Sequence, residues 1–276
     1  MKRTVATCAV VLLCSAAPRA DITILQTTTV EGGMASMAAA SGQSVSPKVT
    51  TRIKGTKNRT DVEAGAVVVS TIVDMVSKQV IILRPDVKTA TIVTGAPPPA
   101  PGAAPMTGPS VDATVTPTGK SQLIDGVKCD EYAFTTTLDM SSMAGPQLPP
   151  EALAMMQGMK MAMQGALWVA KDAPGAAEYV AYQKAVAGAP ELAGVAAGAS
   201  GMKIPGMEKV ARAMSAVNGL TYLTEMTINI DGTGQVADMM RQMGPMKVTT
   251  KISSVTTSPI GDDVFKVPEG YTITKQ

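Results

Sequence analysis

Five methionines stand within nine residues of the stretch MMQGMKMAMQG, at positions 155, 156, 159, 161 and 163. A thioether sulfur is a soft donor that can hold Cu(I). Its flexible, polarisable side chain also suits a pocket for ligands of variable shape, or a core of irregular outline. Met155, Met159 and Met163 are four residues apart, so a helix over 150–163 carries them along one face, with Met156 and Ala152 beside them. Met161 falls off that stripe. Three accounts of the cluster stand side by side: core packing, the inner face of a lid helix over a ligand, and a Met-based Cu(I) site. A second group, Met239, Met240, Met243 and Met246, has similar spacing. The spread of 20 methionines along the chain and the lack of any histidine weigh against the metal account.

Other reactive side chains offer less. Without histidine the commonest general base is missing, and metal sites of the His/Cys type cannot be assembled. The chain has no Gly-x-Ser-x-Gly elbow and no phosphate-binding glycine loop. Cys129 stands beside Asp130 and Glu131, whose charges raise a thiol pKa, so it reads as a buried structural cysteine rather than a nucleophile. The acidic pairs Asp130-Glu131 and Asp262-Asp263 consist of adjacent residues, which point to opposite faces when they lie on a strand. Trp168 follows the methionine stretch closely, and Tyr179 and Tyr182 follow it in a chain only 3% aromatic. Trp168 reads either as a packing anchor or as a cavity wall next to the methionine lid. The expectation is a protein with no catalytic residues, no metal and no cofactor.

The N-terminus bears on where these residues work. Lys2 and Arg3 precede an apolar run from Val5 to Leu13, and small residues then lead to Ala20 before Asp21, the layout of a secretory signal peptide. The run is too short to span a bilayer. Leu12 and Leu13 before Cys14 do not suit a lipoprotein signal, so the expectation is a cleaved export product, periplasmic or secreted, with no transmembrane segment. Cleavage near Ala20 removes Cys8 and Cys14 and leaves Cys129 as the lone thiol, so no intramolecular disulfide can form. Taking Lys2, Arg3 and Arg19 from the 24 basic residues leaves 21 against 22 acidic ones, a net charge of −1 that favours no nucleic-acid partner. A monomer is expected.

Residues 21–276 read as a single domain. Alternation of period two predicts strands over 22–31, 48–54, 58–63, 67–74, 79–84, 89–94, 110–116, 120–124, 128–138, 165–171, 220–230 and 246–257. Turn signals such as Asp125-Gly126 and Arg84-Pro85-Asp86 join neighbours closely, which implies antiparallel pairing. Helical periodicity is confined to 150–163, 174–186, 190–197, 205–217 and 236–243, several of them opening at a proline. The proline-rich run GAPPPAPGAAPMTGP, with its loop at 95–109, suits neither element and reads as an extended excursion. KVTTRIKG at Lys48 and KVTTKISS at Lys247 echo each other, as if both ends of the chain supplied the same kind of hairpin.

Four runs, RIKGTKNRTDVE, STIVDMVSKQVIILRPDVKTATIV, GKSQLIDGVKCDEYAF and DDVFKVPEGY, carry a resemblance. The last two hold Gly126, Cys129, Asp130 and Tyr132, then Phe265, Val267, Pro268, Gly270 and Tyr271. With these the chain resembles a group of uncharacterised exported bacterial proteins related in plan to the lipoprotein-carrier (LolA/LolB-like) superfamily. The resemblance implies an α+β fold in which a strongly curved antiparallel sheet, an incomplete barrel of about 11 strands, carries helices over its concave side. In the carrier relatives that hollow accepts acyl chains. The expected function is accordingly a non-enzymatic envelope protein that binds an apolar or amphipathic ligand, a lipid or acyl chain, in a sheet–helix cavity. Met155, Met156, Met159, Met163 and Trp168 are its candidate ligand contacts. A structural or protein-interaction domain with a filled cavity is the alternative, and Met-based Cu(I) binding a second one.

Overall fold

The computed structural model describes residues 21–32, 35, 46–94, 111–139, 158–189, 192, 212–213, 215–232 and 235–275. Among the described residues, twelve strands form a single open sheet. They are β1 (Ile22–Glu31), β2 (Lys48–Lys54), β3 (Lys57–Ala64), β4 (Val67–Asp74), β5 (Gln79–Arg84), β6 (Thr89–Thr94), β7 (Val111–Ile124), β8 (Val127–Asp139), β9 (Lys160–Ala170), β10 (Leu220–Asp231), β11 (Met246–Thr256) and β12 (Thr272–Lys275). The order across the sheet is β12-β6-β5-β4-β3-β2-β1-β11-β10-β9-β8-β7. Two helices longer than a turn stand out among the described residues, α1 (Ala176–Ala187) and α2 (Gln235–Met243).

Most of the ladder follows from short hairpins. Asp125 and Gly126 form the two-residue turn between Ile124 and Val127, both with positive φ (50° and 80°), the twist that lets two strands leave a tight turn side by side. β2 meets β3 and β3 meets β4 across similarly tight turns. The first strand joins early and late parts of the chain: β1 lies between β2 and β11, so the two KVTT strands flank it on either side.

The sequence expectation needs three corrections. The predicted strands 110–116 and 120–124 are one strand, β7, with an irregularity between Pro117 and Ser121. The final strand β12 was not foreseen, and it runs parallel to β6, so the sheet is mixed rather than wholly antiparallel. The helix expected over 150–163 does not reach its predicted end, because β9 begins at Lys160 and pairs without a break with β8 from Lys160 to Val169, and with β10 on its other side. Two long ladders outweigh the helical preference of Met, Ala, Gln and Lys, which is a weak local bias. The rest of that expected helix lies outside the described residues.

Cross-strand pairing sorts side chains by face. Ile24 lies opposite Thr51 and Thr51 opposite Thr60, while Ile53 lies opposite Asn58, so these five share one face of β1–β3. Arg52, Arg59, Asp61 and Ser70 share the other. On the first face α1 packs against β2 and β10. Its Ala176, Tyr182 and Val186 join Ile22, Ile24, Ile53, Trp168, Ala170, Leu220 and Ile252 in one apolar cluster. Beyond β3, the other face is covered by the chain after β11: Ile260 and Phe265 bury themselves against Ile72, Leu83, Ala90 and Ile92, with Val267 and Tyr271 alongside. The Phe-x-Val-Pro-x-Gly-Tyr ending is thus a strap across β4–β6, and it delivers β12 to the edge of β6.

Candidate functional site

Where α1 bridges the sheet it does not close the gap completely. A partly open cavity of about 160 Å³ remains between the helix and β1–β3. Its floor is made by Ile24 and Gln26 of β1, Thr51 and Ile53 of β2, and Asn58 and Thr60 of β3. Tyr179, Tyr182 and Gln183 of α1 form the roof, and Leu220 and Thr221 complete the wall. The alternation of each strand explains the floor, since residues two apart face the same way. The 179, 182, 183 spacing likewise lies on one side of a helix.

The helix is held close at its start. Gly175, immediately before α1, has φ +76°, and a Cβ there would lie 2.3 Å from Ile22 Cδ1 and 2.8 Å from Cγ1. Only glycine allows both that backbone conformation and that approach. Glu178 in the first turn and Lys184 in the last suit the helix dipole.

Among the described residues, the polar groups at the cavity are neutral amides and hydroxyls. The Thr60 hydroxyl donates to Asn58 Oδ1 at 3.0 Å, and Asn58 is only 6% exposed. Burial pushes the Tyr179 phenol up, against the effect of its hydrogen bond with Gln183. Burial pushes Tyr182 up as well, and the neighbouring Tyr179 adds to it. Both rings therefore stay protonated hydrogen-bonding groups across the physiological range.

Met159, Met163 and Trp168, the described members of the expected contact set, do not line this cavity. Met155 and Met156 lie outside the described residues. Met159 is buried just ahead of β9 and packs against Gly232, where an added Cβ would meet its Cγ at 3.0 Å. Met163 sits in β9 opposite Thr136 on one side and Ile228 on the other. Trp168 is five residues further along the same strand and so projects to the opposite face. Trp168 packs in the cluster that includes Tyr182 and Leu220, and its Nε1 donates to Glu225 at 3.1 Å, but it does not line the cavity. The cavity residues Asn58, Thr60, Gln26 and Gln183 gave no signal in the sequence, since each looks like an ordinary polar position of a half-exposed strand or helix.

Other candidate groups are occupied. Cys129 is fully buried, and burial first, then Asp130, push its thiol up, which disfavours the thiolate. Asp130 accepts from Lys171 at 2.7 Å and Ser121 at 2.6 Å, while Glu131 accepts from Thr118 at 2.6 Å and pairs with Lys120 at 3.2 Å. Asp262 is paired with Lys54 at 2.9 Å. Among the described residues no three His, Cys, Asp or Glu side chains are grouped to hold a metal ion. None of the helices among them is long and apolar enough to cross a membrane.

No family model matches the chain, and no curated protein matches its sequence. Among solved structures it is similar to an uncharacterized conserved protein from Thermus thermophilus, with 6% identity and a TM-score of 0.37 over 92% of this chain and 91% of that one.

Proposed function

We propose that this chain is an exported, non-enzymatic binding protein of the cell envelope, and that it holds part of an amphipathic ligand between α1 and β1–β3. The observation that carries the reading is the cavity of about 160 Å³ with an apolar side, Ile24, Ile53 and Leu220, and a hydrogen-bonding side. Pockets that bind small molecules combine these two kinds of wall. The size narrows the ligand. A cavity of about 150 Å³ holds a molecule the size of benzene, so this one takes a head group or a short apolar segment rather than a whole acyl chain.

The reading treats the sheet as an incomplete barrel with α1 on its concave side. Lys251 of β11 pairs with Asp125, in the β7–β8 turn, at 2.9 Å, although β10, β9 and β8 lie between them in the sheet order. Ile124 of that turn packs in the same cluster as Ile24 and Tyr182. Strands lie about 4.8 Å apart in a flat sheet, so both contacts support strong curling, as does the resemblance to the lipoprotein-carrier superfamily. The signal-like first twenty residues support export.

Native mass spectrometry of the protein purified from its own cell envelope tests this. The expected spectrum has a chain beginning at Asp21 and one bound small molecule, absent from a folded Thr60→Phe variant whose new ring fills the cavity. A wild-type protein that carries and takes up no small molecule would instead be a structural domain with a filled hollow. Retention by Thr60→Phe would move the ligand elsewhere.

A further inference from the structure

We infer that the cavity under α1 selects an uncharged, hydrogen-bonding group, an amide or a hydroxyl, and rejects both carboxylates and ammonium groups. The inference rests on the binding reading above and adds the chemical class of the ligand's polar end. Its basis is the kind of side chain that the fold turns inward. Gln26, Asn58 and Gln183 each present both an amide donor and an acceptor, and Thr51, Thr60 and Thr221 present hydroxyls. Among the described residues, none that lines the cavity is an acid, a lysine or an arginine.

That lack of charge is a consequence of the alternation in β2 and β3. The charged residues of these strands, Lys48, Arg52 and Lys54 on β2 and Lys57, Arg59, Asp61 and Glu63 on β3, fall on the opposite face. Four of them are already engaged there. Asp61 is bound by Arg52 and by Arg59, the latter at 2.8 Å, and Lys54 is bound to the carbonyl of Ile260 at 2.7 Å and to Asp262. A carboxylate entering the cavity would lose water and meet no cation, and an ammonium would meet no anion. An unpaired charge moved out of water is strongly disfavoured, whereas an amide or hydroxyl that regains its hydrogen bonds is not. The two tyrosines reinforce the selection: protonated phenols donate to or accept from a neutral partner but offer no countercharge.

The test uses three probes of equal chain length, hexanamide, hexanoate and hexylamine, titrated calorimetrically into the full mature chain at neutral pH. Hexanamide is expected to bind saturably and at least ~10-fold more tightly than either ion, a difference of about 1.4 kcal/mol. In Gln183→Lys, which adds a cation at the roof from a partly exposed helical position, the preference is expected to invert toward hexanoate. Asn58→Asp, which puts a carboxylate in the floor, is expected to favour hexylamine, and if it does not fold the Gln183→Lys result decides alone. Equal or tighter binding of an ion by the wild type overturns the inference and leaves the binding reading standing. Hexanamide binding that ignores Gln183→Lys overturns the assignment to this cavity. Failure of all three probes to bind overturns the inference together with the binding reading.

Discussion

Asp61 shows what single residues of this sheet must satisfy. It is buried, which works against its charge. Hydrogen bonds from Ser70 and Arg59, the Arg59 charge and a hydrogen bond from Arg52 together outweigh the burial and hold its carboxyl below the usual range. Arg59 in turn donates to the carbonyl of Val264 at 3.1 Å, so the same cluster fastens the C-terminal strap to the sheet. A carboxyl whose pKa is lower folded than unfolded stabilises the protein above the unfolded value, about 3.9, and that contribution disappears as pH falls through the folded one. Asp61→Asn should therefore lower the urea unfolding free energy by about 2 kcal/mol at pH 7. The gap from wild type should narrow steadily below about pH 4. A gap that stays constant down to pH 2 would mean that the carboxylate charge is not what the cluster uses. None of this pairing was legible beforehand. The charges of RIKGTKNRTDVE are visible in the sequence, but which of them share a face depends on the register of β2 against β3.

At the scale of elements, β1, β2, β4, β5 and β6 match the expected bounds because each is a short run rich in β-branched residues bounded by turn signals. Helix α1 was legible from Pro174 just ahead of it, although it starts at Ala176 rather than at that proline. β9 was legible only in its second half. Its first half, KMAMQ, carries residues that suit a helix, and only pairing to β8 and β10 makes it a strand. β12 was missed because Thr-Ile-Thr-Lys is short and its partner β6 lies far back in the sequence. Gly165 marks where β9 owes its place to tertiary contact. A Cβ there would lie 1.9 Å from the carbonyl oxygen of Glu225, so β9 and β10 approach only because that residue is glycine. Gly165→Ala should force the two strands apart and cost about 1–3 kcal/mol. It should also redshift and weaken Trp168 emission as the adjoining Trp168–Glu225 bond loosens. An alanine variant with unchanged stability and emission would contradict the close approach.

For the whole molecule, the sheet separates two jobs. One face carries α1 and the cavity, and beyond β3 the other carries the strap from Ile260 to Tyr271. The general plan of a large, mostly antiparallel sheet was readable, but Met159 and Met163, the described methionines of the candidate set, do not line the cavity under α1. Methionines report oiliness, whereas the cavity is defined by which strands lie under α1, and that depends on β1 pairing with β2 on one side and β11 on the other. The separation predicts how two distant substitutions differ. Phe265→Ala removes a ring buried against Ile72 and Leu83 and should cost about 3–5 kcal/mol of stability. Because it lies on the strap, it should leave hexanamide affinity unchanged under conditions where the variant remains folded. Gly175→Ala should cost about 2–4 kcal/mol, from its positive φ together with the clash of the new Cβ against Ile22, and it pushes the start of α1 away from Ile22 and widens the gap beneath Tyr179 and Tyr182. Its hexanamide affinity should fall about 10-fold. Calorimetric titration of both variants beside urea unfolding checks the pair. If Phe265→Ala weakened binding as much as Gly175→Ala, the strap would be part of the site and the two faces would not act independently.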